Sequence, residues 1–179
     1  MSKHVTSTEG PVSKPVATIN VVSLALRNCL FTVIVPGLGG LYGPWLILGH
    51  RSALPTPLAW PAVAVIAIGI ALYLSCQWVF AAVGRGTPWI WDAPRRLVEV
   101  GSYRWVRNPI YIAALLIVLG EAWLFLSFDL LLYAGLLAVA FHVLVVAYEE
   151  PRLRARFGEQ YNDYRRRVPR WIPRPPSCG

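Results

Sequence analysis

At 179 residues, with 56% hydrophobic and only 15% charged side chains, the chain is too apolar for an ordinary soluble domain of its size. Its formal net charge is +8, carried by 17 basic residues that are bunched beside apolar runs. No nucleic-acid-binding signature accompanies them, so the basic balance points to anionic lipid and no nucleic-acid partner is expected.

In chain order, Met1 to Ala17 is rich in Ser, Thr, Pro and Lys. Residues 1–18 read as a disordered tail with no small-residue cleavage signature, hence no signal peptide. Residues 19–179 read as one membrane domain. A first apolar run, Ile19 to Val35, is interrupted by Arg27 and Asn28 and stops at Pro36-Gly37. Gly37 to Gly49 carries a Trp45-Leu46-Ile47-Leu48 patch that either extends this run or lies in the membrane interface. The second run, Leu58 to Phe80, has 23 residues; as helix it rises about 34 Å, enough for a bilayer core of about 30 Å. The third runs from Ile110 to Leu126 and the fourth from Leu130 to Tyr148. Only Ser127-Phe128-Asp129 separates them, which predicts a tight helical hairpin. The expected fold is an all-α integral membrane bundle of about four transmembrane helices, with a cytoplasmic amphipathic helical region at its C-terminus.

Charge sets the expected orientation. Five basic residues lie between Gly84 and Arg107 and eight between Arg152 and Arg174, while the hairpin turn has none. Positive residues accumulate on the cytoplasmic side. The N-terminus, middle loop and C-terminal tail are therefore expected in the cytoplasm, in a bacterial inner membrane. In the tail, Leu153, Phe157, Tyr161, Tyr164 and Val168 recur at helical spacing, with the arginines off that stripe. Gly158 is placed to break it into two helices. Such a stripe either lies on anionic lipid or covers the cytoplasmic mouth of the bundle. The cysteines are bland: Cys29 and Cys76 fall inside runs, Cys178 makes no prenylation box, and no Cys/His spacing suggests a metal.

Two polar clusters stand out. Glu149-Glu150 ends the fourth run, and acids at a span end are costly unless they serve a site. Gly101 to Tyr111, reading GSYRWVRNPIY, immediately precedes the third run. The hairpin brings Tyr111 and Glu149 to one membrane depth. A plainer reading pairs the glutamates with Arg152 or Arg154 along the helix. Arg107 fits either a topology charge or a site cation, the tyrosines fit an aromatic belt, and His142 fits a satisfied core histidine better than a catalyst.

Arg107-Asn108-Pro109-Ile110-Tyr111, Glu149-Glu150-Pro151-x-Leu153, Phe157-Gly158-x-x-Tyr161-x-x-Tyr164, Val168-Pro169 and Ile172-Pro173 resemble, as an ordered set, the C-terminal half of isoprenylcysteine carboxyl methyltransferases and the related phospholipid N-methyltransferases. Gly84-Arg85-Gly86-Thr87-Pro88 and Leu97-Val98 before Gly101-Ser102-Tyr103 resemble small bacterial members. The resemblance covers residues 84–173. The family pattern is Arg-His-Pro-x-Tyr-x-Gly; Asn108 replaces its His, and Ala113 its closing Gly.

The resemblance implies S-adenosylmethionine as cofactor, held between the last spans and the tail. It implies Glu149 and Glu150 against the cofactor's cationic groups, Tyr103, Asn108 and Tyr111 as hydrogen-bond donors, and Val168 and Pro169, with Trp171, as adenine walls. Arg107 would face an anionic group or pair with a Glu. Glu150 would accept a proton from an amine acceptor. The implied acceptor is amphiphilic and partitions into the bilayer: a prenylcysteine-like carboxylate, a lipid amine or a thiol. A sterol-reductase-like enzyme using NADPH and a non-catalytic lipid or partner binder are the competing readings.

Overall fold

The computed structural model describes residues 37–49, 52–84 and 97–175. The expected tail and first span lie outside the described residues. Every described regular element is helical, and no strand occurs among them. A π turn, Leu38–Tyr42, leads into α1 (Gly43–Leu48), and α2 (Thr56–Val79) runs into a second π turn, Phe80–Gly84. A 3-10 turn, Gly101–Arg104, precedes α3 (Pro109–Leu124). Then come α4 (Phe128–Leu144), a π turn at Val145–Glu149, α5 (Glu150–Phe157) and α6 (Glu159–Arg167).

Two helical stretches are long and apolar enough to cross a membrane, Ala59–Ala82 and Phe128–Phe157. The second passes through the π turn into α5, because Pro151 sits in the first turn of α5, where a missing N–H costs little. The third expected span is shorter: α3 has 16 residues, a rise of about 24 Å. It is stopped at both ends. Asn108 is outside the helical region ahead of Pro109, at φ -123° and ψ 53°, and the chain leaves the helix at Phe125 and turns through Leu126 at a φ of 45°. Four spans were expected; the described residues hold two of full length and one shorter apolar helix.

The hairpin between α3 and α4 is as tight as the sequence suggests. Ser127 caps α4 by accepting from the Leu130 amide at 3.3 Å, and its own amide donates to the Ala122 carbonyl at 2.9 Å. Antiparallel α2 and α3 pack almost backbone to backbone. A Cβ on Gly69 would stand 3.0 Å from the Ala113 carbonyl oxygen, and one on Gly120 would stand 3.1 Å from that of Ala62. Small residues let helices approach in this way where the surrounding solvent is lipid. Ala62, Ala113, Val118 and Ala122 are buried along the contact.

Large apolar side chains point outward instead: Trp60 is 65% exposed, Trp78 75%, Leu136 62% and Val139 63%. An apolar outer surface of that extent requires lipid rather than water around it. The chain is a membrane protein.

At the charged end of the bundle, Gly158 takes a φ of 53° and separates α5 from α6, as its position in the stripe suggests. The stripe does not face outward. Tyr161, Tyr164 and Val168 form a buried cluster joined by Leu97, Leu153 and Phe157. The Tyr164 hydroxyl donates to the Tyr103 carbonyl at 2.8 Å. The tail is therefore packed against the segment leading into α3, which carries one of the two polar clusters.

Candidate active site

Three short segments converge beyond the π turn of α4. The first is Trp105-Val106-Arg107-Asn108 entering α3, the second is Glu149-Glu150, and the third is a strap, residues 169–174, that follows α6. The strap is tied to the first segment by three hydrogen bonds. The Arg107 amide donates to the Pro169 carbonyl at 2.9 Å, the Arg174 amide to the Trp105 carbonyl at 3.0 Å, and the Asn108 side-chain amide to the Arg170 carbonyl at 3.1 Å. Pro169 and Pro173 keep the strap out of helix, because neither can continue one.

Glu150 is the hub. Its residue is 6% exposed. Arg107 Nη1 donates to Oε1 at 2.8 Å; Arg170 Nε donates to Oε1 at 2.7 Å and Arg170 Nη2 to Oε2 at 3.0 Å. The Arg170 contact is the bidentate fork that guanidinium geometry allows, and it pushes the Arg170 guanidinium further up from its ordinary value. Arg107 also reaches the Tyr161 hydroxyl at 3.4 Å. Burial, and next the Glu150 charge, push that phenol upward. The partners of Glu150 thus come from 43 and 20 residues away along the chain. The nearby Arg152 instead donates to Tyr148 and lies over its ring.

Glu149 points elsewhere and accepts a hydrogen bond from the Tyr111 hydroxyl. The two residues expected at one depth therefore touch. Around them stand Phe141, its ring centroid 4.7 Å from that of Tyr111, and Trp171, at 6.5 Å. Two carboxylates and two guanidinium groups balance to zero when all are ionised. One donor remains over: Arg107 Nε is buried and has no hydrogen-bond partner among the described residues. Buried donors are rarely left so, and this one lies in the charged cluster.

The other expected site residues divide. Asn108 is buried at the cluster but spends its amide on the strap. Pro169 contributes its carbonyl to the tie with Arg107. Val168 is 6% exposed and packs under Tyr161 and Tyr164. Tyr103 packs into a separate apolar cluster: its ring meets Phe80 edge-on at 5.4 Å and lies with Cys76 and Val98; burial pushes its phenol well up. Arg170 was not singled out from the sequence. Its only local signal is a lone arginine held between Pro169 and Trp171.

Beside the first turn of α3 is a cleft of about 270 Å³. Leu72 and Ile112 line it with Trp105, Val106, Pro109 and Pro173, and Ser102 is its polar member. Its walls suit a hydrocarbon chain better than a water-soluble group.

A short helical membrane bundle with a charged cluster at the end of its hairpin is the class that fold and site define. A family model for phospholipid methyltransferases matches residues 58–160, more than half of the chain. The chain belongs to that family, which is a family of methyltransferases acting on lipid-type substrates. The match includes Arg107, Tyr111, Glu149 and Glu150 and ends before the strap. No curated protein matches the chain.

Proposed function

We propose that the protein transfers a methyl group from S-adenosylmethionine to an amphiphilic acceptor that partitions into the bilayer. The observation that carries this reading is the half-buried pairing of Arg107 and Tyr111 with Glu150 and Glu149 at the open end of the hairpin. The donor set suits the cofactor. The unpartnered Arg107 Nε suits its carboxylate, and the Glu149 carboxylate suits a cationic group. When bound, the cofactor supplies an electrophilic methyl carbon on a sulfonium, which leaves as a neutral thioether with the electrons of the broken C–S bond.

Positioning does most of the remaining work, since an in-line displacement needs the nucleophile aligned and close. Glu150, clamped by Arg107 and Arg170, fixes the strap against the entrance to α3 and holds Arg107 in place. Glu149 is the freer carboxylate. With a carboxylate or thiolate acceptor no base is required. With an amine acceptor, Glu149 rather than the doubly paired Glu150 is placed to take the proton, and the Tyr111 hydroxyl steadies it. The apolar cleft beside Pro109 would hold the acceptor's hydrocarbon chain, and the aromatic side chains exclude water from the charged cluster. The tail, middle loop and charged cluster face the cytoplasm in this reading, which the arginine distribution supports.

The test is direct. Purified protein in mixed lipid micelles is incubated with methyl-labelled cofactor, and the lipid and thiol extract is analysed by mass spectrometry. A labelled, chain-bearing product that disappears with Arg107→Ala is expected. Label only in water-soluble products, or none from protein shown to be folded, would contradict the proposal.

A further inference from the structure

Arg104-Trp105 and Ile172-Pro173-Arg174 are two short stretches in which apolar side chains adjoin an arginine. The fold lays them side by side, with the Arg174 amide donating to the Trp105 carbonyl at 3.0 Å. Both stretches are open. Trp105 is 48% exposed and Ile172 75%, and Arg104, Pro173 and Arg174 are exposed with them. Arg104 and Arg174 make no ion pair among the described residues. By contrast, Arg166 pairs with Asp163, Arg167 with Glu99, and Arg152 lies over the Tyr148 ring.

What this rim stands against sets its depth. Trp105 and Pro173 line the apolar cleft together with Ile112 of α3 and with Leu72, which lies inside the spanning stretch Ala59–Ala82. The 3-10 turn that ends at Arg104 is held to the same span, with the Ser102 and Ser75 hydroxyls 3.3 Å apart. Ser75 stands seven residues before Ala82, about 10 Å along the helix. The span has 24 residues and rises about 36 Å, a little more than a bilayer core of about 30 Å. Ser75 and the rim around it therefore lie close to the boundary between hydrocarbon and headgroups. Trp suits such a boundary, and an arginine there extends its guanidinium toward the lipid phosphates.

The geometry points to this rim as a docking surface for anionic lipid: Trp105, Ile172 and Pro173 rest in the outermost hydrocarbon of the leaflet, and Arg104 and Arg174 hold negatively charged headgroups over them. The occupant is a bilayer lipid for two reasons. Through the cleft, the rim is continuous with α2 and α3, whose outer surface lipid already covers. Its two charges are both positive, which complements an acidic headgroup, whereas a symmetric dimer through this patch would set arginines against arginines. A soluble anion would satisfy the arginines and leave Trp105 and Ile172 uncovered. The inference is independent of the methyltransferase reading. It localises to one rim a preference that the overall positive charge would otherwise spread over the whole charged end of the bundle.

The experiment uses the full-length chain with its three cysteines replaced by alanine and a bimane fluorophore on Ile172→Cys. The protein is reconstituted in phosphatidylcholine vesicles that contain a small fraction of nitroxide-labelled lipid, either phosphatidylglycerol or phosphatidylcholine, with the nitroxide near the glycerol end of one chain. Both lipids should quench the label, and phosphatidylglycerol should be enriched at position 172 by about fivefold or more, the effect of roughly one arginine near an anionic headgroup. Arg104→Gln with Arg174→Gln should bring the ratio close to one. Arg104→Lys with Arg174→Lys keeps both charges and should keep the preference. A bimane on Leu136→Cys, a lipid-facing site of α4, should be quenched equally by the two lipids. Absence of quenching at position 172 in folded protein would overturn the inference, because the rim would then face water or protein. Equal quenching there by both lipids would overturn it as well, and so would a preference that survives the double glutamine variant or is matched at position 136. Neither cofactor nor turnover enters the measurement, so its outcome is separate from that of the methyltransferase reading.

Discussion

The interface between α2 and α3 and the charged cluster beyond α4 are held together in opposite ways. The interface is two helices meeting through Gly69 and Gly120, with alanines and a valine beside them. The cluster is built from side chains of three separated segments, and Glu150 pairs with both Arg107 and Arg170. In the interface each residue needs only to be small. In the cluster each residue needs a particular partner with a particular charge. Substitutions should therefore be tolerated by size in one region and by chemistry in the other.

The largest effect should come from the cluster. Glu150→Gln preserves shape and leaves Arg107, 11% exposed, and Arg170, 32% exposed, without their common carboxylate. Breaking a buried ion pair from one side costs about 3–5 kcal/mol, and the partial exposure of Arg170 puts this case near the lower end of that range. Thermal unfolding in detergent should show the loss. Glu150→Asp, shortened but charged, should recover part of it. If the glutamine variant melts like the wild type, the pairing carries no stability.

A smaller effect is expected at the interface. Gly69→Val or Gly120→Val drives a branched side chain into the facing backbone, and overpacking of this kind costs about 1–3 kcal/mol. Gly→Ser at either site should cost less than Gly→Val, and Glu150→Gln should show no such dependence on size. Equal melting of the serine and valine variants would remove the distinction between the two regions.

The smallest effect concerns the tail that joins them. Tyr164→Phe removes the hydrogen bond to the Tyr103 carbonyl, worth about 1 kcal/mol. Burial raises the Tyr164 phenol above its ordinary value. A raised acid favours the native state below its unfolded pKa of about 10. That stability is lost as pH climbs from there toward the higher folded value, because the unfolded chain gives up the proton first. Wild-type stability should therefore fall with pH above about 10, and more steeply than that of Tyr164→Phe. Parallel pH profiles would show that Tyr164 is not protected by folding.

Local pattern made the first region legible and only part of the second. Apolar run lengths located α2, α3 and α4 to within a few residues, and the three-residue turn at Ser127 sufficed to place Tyr111 beside Glu149. Gly158 was readable as a break because a helical stripe continued on either side of it. Partner choice was not readable. The sequence offers Arg154 to Glu150, and Arg152 to Glu149, at helical spacing, yet the fold supplies Arg107 and Arg170 to Glu150. The path of the strap decides this, through ties at Trp105, Arg107 and Asn108 that leave no periodic trace. Tyr103 sits in the right segment but turns inward against Phe80 and Cys76, because a 3-10 turn rather than a helix sets its direction. The length of α3 was also beyond the pattern: apolar residues continue through Leu126, whereas the backbone turns at Phe125.

Binding of S-adenosylhomocysteine tests the assignment of the cluster most directly. It is titrated calorimetrically into detergent-solubilised wild type and Glu149→Gln, a variant that leaves the Glu150 hub intact. The wild type should bind, and the variant should bind more weakly by about 1.5–3 kcal/mol, the worth of a hydrogen bond to a charged group. No binding to folded wild type at about millimolar ligand, an affinity floor near 4 kcal/mol, would contradict the placement of a methyltransferase site here. Binding that is unchanged in Glu149→Gln would remove Glu149 from it.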